Sequence, residues 1–435
     1  MIVSNIIDIT KEKFRIKAIL NSRMLKTLFI ILCGLQFYRY YALSGPVLNS
    51  LSTLSILLIV AFSYKKIFCK VKNKYYKTMQ WLLFSLLACM VMAWIFWGQS
   101  LFLTYRAAPN FLLLIFFYFV ANKFKVTELE RIIIIFGWLY VILWLYAVYK
   151  VPETIFGNAE DEISSDESRG FFRINFTGRI SMILAYFLYI CKFSVHKKTK
   201  YIVYAATLFT FIVFQLTRQL ILWTAVVSLI YIFLSSKKWA IILALVFGFL
   251  YAGSYNIQFS DDSVIGSLIN ITNMEMNGQL YAGENPRIVE YRYLFTQWSP
   301  NLLTDIFGTG IDCGSDTAYG KYVYNIGWSK GIYITDIGYG HMFAQTGILG
   351  LGLYVWLFII CTFSKMPKEL QYVNMFMGAM IPLNIAAAWY AGADTKVCIA
   401  ICVYLIYRYG YRSKRVRIPS DNSSQAKLGD ASTNK

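Results

Sequence analysis

Apolar runs of about twenty residues recur along most of this 435-residue chain, separated by short charged stretches. A helix rises 1.5 Å per residue, so a run of about twenty crosses a hydrocarbon core of about 30 Å. Only 15% of the residues are charged, whereas an ordinary soluble domain has about 25%. The pattern predicts an all-α fold, a polytopic transmembrane helical bundle, and excludes an ordinary soluble enzyme.

The apolar runs between charged stretches predict about twelve membrane spans. The basic stretch before the first run is followed by no small-residue cleavage site, so we interpret that run as a retained helix rather than a signal peptide. The predicted spans begin near Leu25, Val47, Met79, Leu103, Ile132, Phe172, Tyr201, Leu220, Trp239, Met342, Tyr372 and Val397.

The basic residues divide unequally between the two sides of such a bundle. Counted alternately along the chain, 30 of the 42 lysines and arginines fall on the side of the termini and 12 on the other side. The net charge of +19 separates into +23 and −4 when the acidic residues are included. The positive-inside rule therefore predicts cytoplasmic termini, and most of the charge reflects topology rather than nucleic-acid binding.

This topology divides the chain into five segments. We predict a cytoplasmic N-terminal segment at 1–24, spans 1 to 9 at 25–253, a large periplasmic loop at 254–340, spans 10 to 12 at 341–409 and a cytoplasmic basic tail at 410–435. The other outward loops are shorter. We therefore expect any chemistry on the outer, periplasmic side.

The large loop is predicted to contain short helices. Asn285 followed by Pro286 is a typical helix start, and apolar residues at helical spacing predict an amphipathic helix from Pro286 to Trp298. Gly308-Thr309-Gly310 and Gly338-Tyr339-Gly340 are predicted turns. The second turn leads into the tenth span at His341.

Motifs of soluble enzymes are missing from the sequence. It contains no glycine-rich phosphate loop, no HExxH, no GxSxG and no paired CxxC. Asp261-Asp262 is the only adjacent acidic pair of the long loop, and we interpret it as solvated. The cysteines have no zinc spacing. We therefore predict no metal site and no cofactor.

Arginines at the outer ends of spans are the residues that could carry chemistry. Arg218 is the only charge between two apolar runs, and an arginine at membrane depth is costly without a partner or a function. Arg173 and Arg179 lie at the outer end of the sixth span, and Arg106 lies in the fourth. The structural alternatives are snorkelling of Arg218 to lipid phosphates and pairing of Arg173 and Arg179 with the acidic loop before them.

The large loop adds two arginines and a histidine. Arg287 lies in the first turn of the loop helix, and Arg292 is about 140° around it, so the two cannot share one face. The alternative for Arg287 is a surface ion pair with Glu284 or Glu290. His341, where the loop meets the tenth span, can accept a proton near neutral pH, although a lone interfacial histidine is more often structural.

Together these residues suit one type of ligand. Guanidinium groups bind phosphates bidentately, and an imidazole can act as a base beside them. A lipid diphosphate fits such a set at the outer membrane interface, because ATP and nucleotide sugars are not available there.

Three stretches of the chain resemble the O-antigen polymerase and O-antigen ligase superfamily of bacterial envelope enzymes. Thr217-Arg218 opening a span is similar to the family's (S/T)-R motif. Arg287 through Trp298 to Gly308-Thr309-Gly310 resembles its arginine, tryptophan and G-x-G pattern. His341 followed by Gly347-Ile348-Leu349-Gly350 resembles its histidine and the start of the next span, although Met342 stands where the family commonly has asparagine.

The resemblance implies a metal-independent glycosyltransferase of the bacterial inner membrane. Its substrates would be undecaprenyl-diphosphate-linked oligosaccharides as donor and acceptor, with membrane lipids and a chain-length regulator as further partners. Arg218 and Arg287 would bind the donor diphosphate, and His341 would assist the acceptor hydroxyl. Further substrate contacts are expected from Arg173, Arg179, Arg292 and Arg106.

Three activities are compatible with these features. We favour a polymerase that extends lipid-linked repeat units of O-antigen or capsular polysaccharide. A ligase that transfers the glycan to lipid A core would use the same donor. A flippase or other transporter is the third, but transporters usually have two repeated halves, and here one long loop interrupts any such pattern.

Overall fold

The computed structural model describes residues 22–122, 124–157, 163–166, 171–174, 176–215, 217–235, 284–314 and 316–416. Most of this described chain is helical, as predicted, with a single short β-hairpin. The ninth predicted span, the pair Asp261-Asp262 and the basic tail from residue 417 lie outside the described residues.

The α-helices are numbered here in chain order. They are α1 (Ser22–Gly34), α2 (Gly45–Ile67), α3 (Lys74–Trp97), α4 (Leu101–Ala107), α5 (Pro109–Leu112), α6 (Phe116–Val120), α7 (Val126–Lys150), α8 (Arg179–His196), α9 (Thr199–Phe214), α10 (Arg218–Ser235), α11 (Pro286–Thr296), α12 (Leu302–Phe307), α13 (Ala318–Lys330), α14 (Gly338–Thr362), α15 (Tyr372–Leu383) and α16 (Ala393–Val416).

Four of the described helices are long and apolar enough to cross a membrane, namely α2, α3, α7 and α14. The bent pair formed by α4 and residues 109–120 makes a fifth if it counts as one span. Helices α9, α10 and α15 are apolar but shorter. The chain is therefore a membrane protein with four or five helices of spanning length among its described residues, and the total of twelve spans stays a prediction.

The predicted fourth span is bent by 68° between Ala107 and Pro109. Proline lacks the amide hydrogen that a continuous helix needs, and its ring clashes with the preceding turn. Beyond the bend, nearly all side chains up to Val120 are buried. The bend leaves Arg106 exposed at the end of α4 and brings Asn110 and Phe111 into the bundle.

The predicted sixth span begins as a strand rather than a helix. Phe171–Ile174 pairs antiparallel with Ile163–Asp166, and Arg173 lies opposite Ser164. Helix α8 begins only at Arg179, after Gly178 with a φ of 119°. The prediction of a helix from Phe172, with Arg179 a turn or two inside it, was therefore wrong, because a short apolar run alone does not separate strand from helix.

The loop helix is confirmed as α11. The Asn285 side chain accepts a hydrogen bond from the amide of Arg287 at 3.0 Å, and Pro286 occupies the first turn. Both features satisfy a helix start locally, without tertiary contacts. The helix ends at Thr296 rather than at the predicted Trp298.

Helix α14 begins at Gly338, so the predicted turn at Gly338-Tyr339-Gly340 is wrong. Gly338 instead allows the backbone of α14 to lie close to the backbone that follows α15. A Cβ on Gly338 would lie 2.5 Å from the carbonyl oxygens of Asn384 and Ala387. The amide of Tyr339 also donates to the Asn384 carbonyl at 3.0 Å, which holds the start of α14 against the end of α15.

The loop backbone is inserted into a break in α14 at Gly347, where φ is 65°. The amide of Thr309 donates to the carbonyl of Ala344 at 2.9 Å, and the amide of Gly310 donates to that of Gln345 at 3.1 Å. Trp298 is buried against this joint and donates from Nε1 to the Thr309 hydroxyl at 3.0 Å. The loop is therefore fixed to the bundle by its main chain.

Candidate functional site

A polar cavity of about 630 Å³ opens where the end of α1 meets the starts of α8 and α16. The segment leading into α14 also reaches this end of the bundle. The charged residues that line this first cavity are Arg39, Arg179, Asp336 and Asp394. The cavity therefore combines guanidinium donors with carboxylate acceptors.

A second cavity of about 490 Å³ adjoins the first. Arg106 lines it together with Asp312 and Asp316. The residues that line both cavities are Gln36, Arg39 and Asn110. Two of the predicted substrate-binding arginines, Arg106 and Arg179, therefore lie on adjoining cavities, with Arg39 between them.

Arg179, at the start of α8, interacts with Asp394 in the first turn of α16 and with Trp389 in the turn that precedes α16. Its guanidinium lies 4.1 Å from the centre of the Trp389 ring, and it interacts electrostatically with the buried Asp394. Asp394 Oδ2 also accepts hydrogen bonds from the amides of Gly178 and Ile180 at 3.1 and 2.9 Å. A carboxylate there satisfies free amides of the first helical turn.

Arg218 does not line the first cavity, although the residue after it contacts Trp389, which does. It is the first residue of α10 and is half-buried. The next residue, Gln219, donates to the carbonyls of Pro382 and Leu383 at 3.1 and 2.6 Å and accepts from Trp389 Nε1 at 3.3 Å. The start of α10 is thereby tied to the tryptophan that contacts Arg179.

The two arginines of α11 have different surroundings. Arg292 forms a bidentate ion pair with Glu284 at 3.0 and 2.6 Å, so a pairing of Glu284 with Arg287 is not what the structure contains. Arg287 is exposed and interacts electrostatically with Glu290 and Asp336. Since Asp336 lines the first cavity, Arg287 lies near its rim.

Arg106 and Arg173 are the remaining predicted arginines. Arg106 is exposed and interacts electrostatically with Cys313, which also lines the second cavity. The backbone of Arg173 lies in the second strand of the hairpin. Its side chain lies outside the described residues.

Glu290 is a buried carboxyl that interacts electrostatically with Asp336, a residue that lines the first cavity. Burial raises its pKa to about 7, and Asp336 adds to this effect, while the amide of Tyr333 and the charge of Arg287 oppose it. Tyr333 donates to Oε1 at 3.2 Å, and Oε2 has no hydrogen-bond partner in the described part of the chain. Burial also raises the pKa of Asp312 and of Asp336.

His341 is buried in the first turn of α14 and lines neither cavity. Its ring centre lies 6.4 Å from that of Phe111 and 5.6 Å from that of Tyr390. Asn110 and Trp389, their neighbours in the chain, do line the first cavity. The predicted base therefore packs against two aromatic rings and does not face either cavity.

Lys396 is a buried lysine that the charge count placed on the outer side but that was not singled out as a site residue. Its Nζ donates to the Tyr354 hydroxyl at 2.7 Å. It lies 5.1, 4.5 and 4.4 Å from the ring centres of Phe111, Tyr354 and Tyr390. Two of these rings also contact His341. The available signal was a lysine close to the start of an apolar run.

Arg39 was likewise counted but not singled out. It follows the first apolar run on the outer side, which was its only signal in the sequence. Its place between two cavities depends on a left-handed turn that composition and periodicity do not reveal.

The described residues contain no group of three or more histidine, cysteine, aspartate or glutamate side chains that could hold a metal ion. The eight cysteines are free thiols. What the cavities offer is an anion-binding set of guanidiniums beside the amides and carboxylates that bind hydroxyl groups.

No protein-family model matches this chain, and a search of curated proteins finds no relative.

Proposed function

We propose that this protein polymerises undecaprenyl-diphosphate-linked oligosaccharide repeat units of O-antigen or capsular polysaccharide. The reaction is a metal-independent glycosyl transfer at the periplasmic face of the bacterial inner membrane, with both termini cytoplasmic. The observation that carries the proposal is that Arg179, Arg39 and Arg106 line two adjoining polar cavities at one end of a bundle of apolar helices.

A lipid-linked glycan matches the chemistry of this end. Its diphosphate is an anion that guanidinium groups bind bidentately. Its sugars present hydroxyl groups, which amides and carboxylates such as those of Asn110, Asp312 and Asp316 can bind. Its polyprenyl chain requires a site beside lipid, and spanning helices provide one.

The packing of the loop adds support for the family resemblance. Trp298 and Thr309 belong to one of the stretches that carry the resemblance and Gly347 belongs to another, and they meet where the loop enters the break in α14. The stretches are thus part of one structural unit. His341 lies in the first turn of the same helix, shortly before this break.

In the proposed reaction, an acceptor sugar hydroxyl attacks the anomeric carbon of the donor glycan. A carbon–oxygen bond forms there, and the bond from that carbon to the diphosphate oxygen breaks. His341 accepts the hydroxyl proton, and undecaprenyl diphosphate leaves with the bonding electron pair. Arg179 stabilises the charge that develops on the leaving diphosphate, and Arg218 and Arg287 assist from nearby, which is electrostatic catalysis.

Substrate access to His341 is part of this proposal. The imidazole lines neither cavity and packs against Phe111 and Tyr390, so the proposal requires one of these rings to move before the acceptor hydroxyl reaches it. Conformational steps of this kind commonly complete an active site when the substrate binds.

The test is incubation of the purified full-length protein with the lipid-linked repeat unit of its own source organism, followed by gel analysis for ladders of lengthened product. We expect ladders from the native protein and none from His341→Ala, Arg218→Ala or Arg287→Ala. Lys321→Gln is the control, because Lys321 is exposed on α13 and lines neither cavity.

The outcomes of this assay distinguish a polymerase from a ligase and from a transporter. Full activity in all three alanine variants would contradict the proposed site. Transfer to lipid A core without ladders would replace the polymerase by a ligase. Movement of the intact substrate across the bilayer without bond exchange would replace both by a transporter.

A further inference from the structure

Arg39 stands on the wall that the two cavities share. It lines both of them together with Gln36 and Asn110. Arg179 lines only the first cavity and Arg106 only the second. The first cavity is therefore lined by two arginines, Arg39 and Arg179.

The backbone that carries Arg39 is unusual. Four consecutive residues, Gln36 to Arg39, have φ between 48° and 58°. None of them is glycine, and left-handed conformations cost about 1–2 kcal/mol for each such residue. Conformations of this cost persist only where the surrounding structure determines them, and they concentrate at functional sites.

The surrounding structure does fix this turn. The amide of Gly157 donates to the carbonyls of Tyr38 and Arg39, both at 3.1 Å. The Tyr38 side chain is buried and packs edge-on against Phe176, with ring centres 6.0 Å apart. The turn therefore depends on contacts from two distant parts of the chain.

The Arg39 side chain is also oriented. Its Nε donates a hydrogen bond to Gln36 Oε1 at 2.9 Å. Gln36 Nε2 in turn donates to the Ser52 hydroxyl at 3.4 Å. A hydrogen bond at Nε fixes the plane of the guanidinium group. A fixed planar fork matches the two oxygens of a phosphate better than a flexible ammonium does.

We infer that Arg39 is a phosphate-binding residue of the donor site, and that Arg39 and Arg179 each bind one phosphate of a lipid diphosphate in the first cavity. This inference rests on the proposed function for the identity of the lipid. It assigns the discrimination between diphosphate and monophosphate to Arg39, because a monophosphate bound at Arg179 leaves Arg39 without a ligand.

The test measures binding of undecaprenyl diphosphate to the full-length protein in lipid nanodiscs, with undecaprenyl monophosphate and inorganic pyrophosphate as the other two probes. We expect Arg39→Gln to weaken binding of the diphosphate lipid about tenfold or more and to change binding of the monophosphate lipid less than about threefold. Arg39→Lys, which keeps the charge without the fork, should be intermediate. Lys321→Gln should bind all three probes as the native protein does.

Several results would overturn the inference. The inference is contradicted if Arg39→Gln binds the diphosphate lipid as tightly as the native protein does. It is also contradicted if Arg39→Gln loses affinity equally for the diphosphate and the monophosphate lipid, or if the native protein binds pyrophosphate as tightly as the diphosphate lipid. If Arg39→Gln unfolds, Arg39→Lys is compared with the native protein instead. The inference is then contradicted if both proteins have the same ratio of affinities for the diphosphate lipid and the monophosphate lipid.

The same measurement separates this inference from the transfer reaction. Diphosphate binding that depends on Arg39, without ladder formation by the native protein, contradicts the polymerase and supports the inference. Ladder formation by the native protein, together with diphosphate binding unchanged in Arg39→Gln, contradicts the inference alone.

Discussion

The Arg179 guanidinium lies 4.1 Å from the centre of the Trp389 ring, in the wall of the first cavity. The same indole donates to Gln219 Oε1 at 3.3 Å. Trp389 therefore connects the predicted arginine of α8 to the start of α10, where Arg218 lies. One aromatic side chain positions two elements of the proposed donor site.

Trp389→Leu is expected to lower the initial rate of ladder formation. A cation–π contact contributes about 0.5–2 kcal/mol, and its loss together with the Gln219 hydrogen bond leaves Arg179 less well positioned. The rate should fall at least about threefold, measured with the lipid-linked repeat unit. Trp328→Leu is the control, since Trp328 is 74% exposed on α13. Equal effects of the two substitutions would contradict this role of Trp389.

Gly308→Ala is expected to prevent stable packing of the large loop into the break in α14. A Cβ there would lie 2.0 Å from the Gln345 carbonyl oxygen, and φ is 84°. The clash is with backbone, which cannot rotate away, so we expect a cost of about 3 kcal/mol or more. Thermal unfolding in detergent checks this. Gly352→Ala, in α14 with nothing within 4 Å of the added Cβ, should unfold close to the native temperature.

Glu290→Gln is expected to reduce the pH dependence of stability. The folded-state pKa of Glu290 is about 7 against an ordinary value of 4.5, so the folded protein binds this proton more tightly than the unfolded chain. The stabilisation is fully present below pH 4.5 and is lost as the pH rises through 7. The glutamine keeps an acceptor for the Tyr333 amide and should therefore be more stable than the native protein at pH 8.

Unfolding midpoints at pH 5 and pH 8 measure this effect. Glu284→Gln is the control, because Glu284 is an exposed carboxylate on the same segment, and its variant should follow the pH trend of the native protein. A Glu290→Gln variant with that same trend would show that burial of Glu290 does not control the pH dependence.

Lys396→Met is expected to abolish ladder formation without loss of stability. The substitution removes a buried amino group and leaves an apolar chain among Phe111, Tyr354 and Tyr390. Such replacements are often neutral or stabilising, and ionisable residues inside membrane proteins are mostly functional. Lys330→Met is the control, because Lys330 also lies over a tyrosine ring but is exposed. Full activity of Lys396→Met would contradict a functional role.

Local signals in the sequence were sufficient to predict most helices near their observed positions. Asn285 and Pro286 started α11 as expected, because capping and proline geometry act within one helical turn. The region around Phe172 and Arg173 was misassigned because a short run of apolar residues fits a buried strand as well as a helix. Twelve spans, the orientation and the polymerase activity stay predictions.

The sequence by itself determined that this is a helical membrane protein, since run length and hydropathy are properties of neighbouring residues. Only the tertiary structure decided which cations share a cavity. Packing between distant segments places Arg39 and Arg179 on one cavity and Arg39 and Arg106 on the adjoining one, while Arg292 is paired with Glu284 and Lys396 lies among aromatic rings. Spacing along the chain carries no information on such contacts, because they depend on how whole helices pack.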